Sequence, residues 1–183
     1  MPLTLKLPEV DEMWDQANER FVKIGVSELH LEHSLDSISK WEGKWKKPFF
    51  SREEKTAEET LDYIKCMTLD ENVNDAVYQL LTPEMGEAIG SYISDPMTAT
   101  TFTDRQTHRS REIVTAEIIY FNMVAYNIPP EYAFWHINKL LALIRVCSIK
   151  NGGEKKMSSA EAARYQRDLN EKRLAAMAKR RKK

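Results

Sequence analysis

The chain has 183 residues, 42% of them apolar and 30% charged, a composition that supports one ordinary globular core plus an appendage and excludes a disordered chain. No apolar run reaches the roughly 20 residues of a membrane helix, and the N-terminal MPLTLKLPEVDEMW lacks a signal-peptide layout, so a non-membrane, cytosolic protein is expected. The formal net charge of −1 hides an asymmetry, because residues 154–183 carry eleven Lys or Arg against four Asp or Glu, leaving an acidic body and a basic tail.

Leu3, Leu5 and Leu7 alternate with polar residues, the period of a short half-buried strand closed by Pro8. Residues 20–33 alternate again through Phe21, Ile24, Leu29 and Leu31, and Gly25 stands at the expected turn, so two further strands are predicted as a hairpin. The period then changes to that of a helix. Leu31, Leu35, Ile38, Trp41 and Trp45 form one stripe, with Ser34 as N-cap and an end before Pro48. Ser51 with Glu54 and Thr56 with Glu59 have capping-box spacing and lead into a stripe of Leu61, Ile64 and Met67.

NDAVYQLL reads as a short helix, and Thr82-Pro83 opens another that carries Met85, Ile89, Tyr92 and Ile93 and stops at Asp95-Pro96. The Thr-rich residues 96–110 read as an extended loop. Ile113, Ala116, Tyr120 and Val124 form the next stripe, and Asn127 is placed as a left-handed C-cap. Pro129-Pro130 then opens a helix bearing Tyr132, Trp135, Leu140, Leu143, Ile144 and Cys147. Asn151-Gly152-Gly153 coincides with the change of charge, so a hinge is predicted there, dividing residues 1–150 from residues 151–183. Ser158 with Glu161 caps a last helix whose thin apolar stripe includes Tyr165 and Leu169, with Met177 beside it. The predicted fold is therefore mostly α, a helical domain with a small N-terminal β element of two or three strands and a separate basic C-terminal helix.

No catalytic, cofactor or metal site emerges from the residues. The chain has no glycine-rich phosphate loop, no nucleophile elbow and only two cysteines, Cys66 and Cys147, expected as buried thiols. His30 and His33 read as surface histidines, and His136 as a hydrogen-bonded structural one. Trp41, Trp45, Trp135, Tyr120, Phe121 and Tyr132 have the spacing of core stripes rather than of a base-stacking platform. The candidate site is a partner-binding arm made of Tyr165, Leu169, Arg173, Met177, Lys179, Arg180 and Arg181. Its charge serves helix polarity and solubility, or else docking on an acidic partner or on phosphate, and nucleic acid is kept as the less favoured partner.

Several long stretches carry a family resemblance: HLEHSLDSISKWEGKWKKPFF, DYIKCMTL, DPMTATTF, IVTAEIIYFNMVAYNIP, WHINKLLALIRVCSIKN and KKMS. Over roughly residues 29–170 the chain resembles the tail assembly chaperones of long-tailed bacteriophages. The resemblance implies a non-catalytic protein of the host cytoplasm that keeps the apolar, helical tape measure protein soluble until tail tube subunits polymerise around it. It also implies self-association, the tail tube protein as a further partner, and no cofactor. The alternative from the residues alone is a nucleic-acid-associated or head-completion protein using the basic tail.

Overall fold

The computed structural model describes residues 2–15, 19–102 and 113–151, which are mainly helical with a small β element at the N-terminus, as the periodicity predicts. Among these described residues four strands form where two or three are expected. Leu3–Lys6 (β1) pairs antiparallel with Glu28–Leu31 (β4), and Glu12–Asp15 (β2) pairs antiparallel with Arg20–Lys23 (β3). One two-stranded ribbon is thus nested in the connection of the other.

The hairpin expected over residues 20–33 does not form, because β3 and β4 each take another partner and Gly25 lies between unpaired strands. Leu29 and Leu31 share one side of β4 and are fully buried, and the register sets Leu5 and Leu3 opposite them. An apolar cross-strand match of this kind selects β1 over β3, whose residues are mostly exposed.

From β4 the chain enters Leu35–Trp45 (α1) through a capping box of two serines. Ser34 Oγ accepts from the Ser37 amide at 3.2 Å, and Ser37 Oγ accepts from the Ser34 amide at 3.0 Å. Leu35, Ile38 and Trp41 are buried as predicted, and Lys46 in the left-handed region ends the helix before Pro48. Ala57–Met67 (α2) is opened by the Thr56–Glu59 box, whereas the Ser51–Glu54 pair opens no helix. Leu61 is 39% exposed instead of lying on the buried stripe; Glu59, Tyr63 and Met67 hold that face. Glu59 lies on that face with its carboxylate held by the Thr56 amide and by Lys47, and its carbonyl accepts from Trp41 Nε1 at 2.8 Å, which turns this side of α2 toward α1.

A 3₁₀ helix at Asp75–Leu80 is capped by Asn74, and Pro83–Ser94 (α3) is capped by Thr82 with Ile89 and Tyr92 buried. Ala116–Ala125 (α4) buries Ala116, Ile119 and Met123. The stripe expected there is corrected: Ile113 and Val124 are 58% and 76% exposed, and Tyr120 is only half-buried. With apolar residues on nearly every side of α4, packing rather than period chooses which face goes in. Asn127 takes the predicted left-handed conformation, at φ 53°, and the Ile128 amide then reaches the Met123 carbonyl at 2.8 Å.

The helix expected from Pro130 is a 3₁₀ turn, Pro130–Phe134, and Ile137–Asn151 (α5) begins separately. Between them Trp135 is extended, because Ser34 and His136 make an isolated antiparallel bridge and the Ile137 amide donates to the His33 carbonyl at 2.7 Å. Internal contacts divide the chain into two compact units, Met1–Val146 and Cys147–Lys183. Both thiols are free and half-buried rather than buried. Among the described residues no helix is long and apolar enough to cross a membrane.

Candidate functional site

All seven residues of the predicted arm, Tyr165, Leu169, Arg173, Met177, Lys179, Arg180 and Arg181, lie outside the described residues. Within them two features can carry function, a buried polar cluster and an exposed apolar face.

The cluster forms where the end of β4, α2, α3 and the start of α5 converge. His33, expected at the surface, is 3% exposed: the residue lies just past the buried end of β4, and α2 closes over it. The Tyr63 hydroxyl hydrogen-bonds its Nδ1, and the His136 ring stands edge-on to it. His136 is the hydrogen-bonded structural histidine predicted. Its Nε2 donates to the Tyr92 carbonyl at 3.1 Å and its Nδ1 accepts from the Asn138 amide at 3.3 Å, which fixes the neutral tautomer and caps the start of α5. Next to it the Tyr92 hydroxyl donates to the buried Glu32 carboxylate at 2.6 Å. Burial and then the His136 ring push the His33 imidazole down to about 3, burial lowers His136, and burial raises both tyrosines. The imidazoles are neutral and the phenols protonated at neutral pH. A set so enclosed and internally satisfied does the work of a seam, joining β4 to three helices.

Two further buried carboxylates serve the same end. Glu42 accepts from the Phe49 amide at 2.7 Å and from the Ala116 amide at 2.8 Å, so that α1 supplies the cap that Thr115 does not give to α4. Glu59 accepts from Lys47 at 2.6 Å, and that ammonium, with the Thr56 amide, holds its carboxyl below the usual range. His30 hydrogen-bonds Asp70 through Nδ1 at 2.9 Å. Among the described residues no group of three or more His, Cys, Asp or Glu is placed to hold a metal ion.

The exposed face is on α4. Phe121 and Val124, one helical turn apart, are 70% and 76% exposed, with Glu117 and Ala125 beside them also turned outward. Phe134 in the 3₁₀ turn and Ile113 ahead of the helix are exposed as well, and both α4 and that turn pack on α1. Phe121 and Val124 are expected in the core from spacing alone. The signal that marks them otherwise is the near absence of a polar face in AEIIYFNMVA: a helix with one side on a core and no polar side must leave apolar residues in water. From Ile113 to Asn138 the chain has two carboxylates, Glu117 and Glu131, and no Lys or Arg.

Comparison with protein-family models gives no match, and neither do comparisons with curated proteins and with solved structures.

Proposed function

We propose that the protein is a non-catalytic phage tail assembly chaperone that keeps the tape measure protein soluble by covering its apolar helical surface with the outward face of α4. The observation that carries this reading is the exposure of Phe121 and Val124 on a helix that is apolar nearly all round. A face of this kind accepts the apolar stripe of another helix, and each large side chain removed from water contributes about 1.5–3 kcal/mol. Both signs of charge border α4, since Glu117 lines a groove together with Lys46 and Lys47, so charges flanking the bound stripe set its orientation. The resemblance over residues 29–170 supports the same reading, as does the basic tail, which offers a second charged contact for a long partner.

The test is co-expression of the full chain with the tape measure protein of the same phage, followed by capture at moderate salt. A soluble complex is expected for the wild type. A Phe121→Ser/Val124→Ser double variant should lose the complex while keeping its melting temperature. Absence of a complex with the wild type would overturn the proposal.

A further inference from the structure

A second face of the molecule has the chemistry of a self-matching surface. β2 and β3 form a ribbon whose register sets Trp14 opposite Phe21 and Glu12 opposite Lys23. The Trp14 and Phe21 rings pack edge to face with centres 5.1 Å apart, so both stand on one side of the ribbon. Strand alternation puts Glu12 and Lys23 on that side too, and Met13 and Val22 on the other. The inner pair is half-buried, whereas Trp14 is 47% and Phe21 68% exposed and Glu12 and Lys23 are exposed. The outer side thus shows water a cross-strand aromatic pair beside a cross-strand pair of opposite charge.

A two-fold axis lying along the strand direction, between two such ribbons stacked face to face, carries each position onto the one facing its own cross-strand neighbour. Glu12 of one copy then meets Lys23 of the other, Lys23 meets Glu12, and Trp14 meets Phe21. Every contact so generated is favourable, because each rung of the face is made of unlike partners. Two like charges on the Glu12–Lys23 rung would make the same docking repulsive. From this complementarity we infer that a second copy of this chain docks on the outer face of the β2–β3 ribbon. The inference gives a surface to the self-association that the chaperone resemblance implies, and it is tested separately from that reading, since the ribbon is a different element from α4 and needs no tape measure protein. A ribbon of two four-residue strands offers far less than the ~800 Å² per partner of a standard interface. The dimer is accordingly weak and dependent on concentration.

Charge exchange between the two positions tests it on the full chain by sedimentation at rising concentration. Glu12→Lys puts lysine against lysine at both charged contacts of the dimer, and Lys23→Glu puts glutamate against glutamate. Each variant alone should weaken the wild-type dimer by about tenfold or more. An equimolar mixture of the two variants should recover wild-type affinity, since the lysine pair of one variant then faces the glutamate pair of the other. Recovery in the mixture cannot come from repair within a single ribbon, where both variants stay mismatched. A cross-strand Trp14–Phe21 nuclear Overhauser effect reports that the ribbon is intact in each variant. A wild type that stays monomeric at millimolar concentration, single variants that dimerise as the wild type does, or a mixture that fails to recover would each overturn the inference.

Discussion

The imidazoles of His33 and His136 meet edge to face with ring centres 5.0 Å apart, and both residues are buried. Neither ring can take a proton without placing a charge against its neighbour in a space closed to water, which ties the stability of the fold to pH.

For His33 the folded value of about 3 lies below the ordinary 6.5, so the unfolded chain binds the proton more tightly. The stabilisation from keeping this ring neutral is complete above pH 6.5 and is lost as pH falls toward 3, at about 1.4 kcal/mol per pH unit for one proton. His33→Gln keeps a partner for the Tyr63 hydroxyl and removes the titration. Thermal unfolding followed through acid should therefore fall less steeply in the variant, and equal slopes would rule this account out.

Glu42 holds the amides of Phe49 and Ala116 with its two carboxylate oxygens. Glu42→Gln keeps the shape but turns an –NH₂ toward one of those amides, leaving a donor without an acceptor at a cost of about 1–3 kcal/mol. Chemical denaturation should show that loss, and hydrogen exchange should quicken at Phe49 or Ala116 before it does in α2.

Tyr92 supplies a hydroxyl to the buried Glu32 carboxylate. Tyr92→Phe removes only that oxygen and should destabilise the chain by about 2 kcal/mol, with the charge left poorly solvated. Pairing it with Glu32→Gln should recover part of the loss, since an uncharged group tolerates the missing donor better. A double-mutant cycle with no coupling would show that the contact contributes nothing.

Asn127 ends α4 in the left-handed region at φ 53°. Asn127→Gly should leave the melting temperature nearly unchanged, whereas Asn127→Val should cost about 1–2 kcal/mol because a β-branched side chain clashes with its own backbone there. Similar melting temperatures for the two variants would show that this cap does not hold the helix end.

The helix ends were legible in the sequence because capping is local. Ser34, Thr56, Thr82 and Asn127 each satisfy backbone groups within four residues of themselves, and each sits where spacing predicts. Strand pairing was not legible, because the choice between β1 and β3 as the partner of β4 depends on which apolar rows must be covered after folding. The burial of His33 likewise depends on α2 and α3 closing over it, which neighbouring residues do not encode. At the candidate site the α4 sequence carried the composition but not the phase: when almost every position is apolar, period cannot say which ones face water. The extended break before α5 was invisible for a similar reason, since it is fixed by the His33 carbonyl about a hundred residues earlier in the chain.

The nested arrangement of the two ribbons also bears on how the N-terminal region reaches its structure. Pairing Lys6 with Glu28 closes a long stretch of chain, whereas pairing Asp15 with Arg20 closes a very short one. Once the inner ribbon has zipped, the free chain left between β1 and β4 is less than half its former length, which lowers the entropic cost of joining them by under about 1 kcal/mol. The inner ribbon therefore acts as a tether that speeds the outer pairing. Slowing it, for instance by weakening the Trp14–Phe21 pair, should slow burial of Leu29 and Leu31 although both belong to the other ribbon.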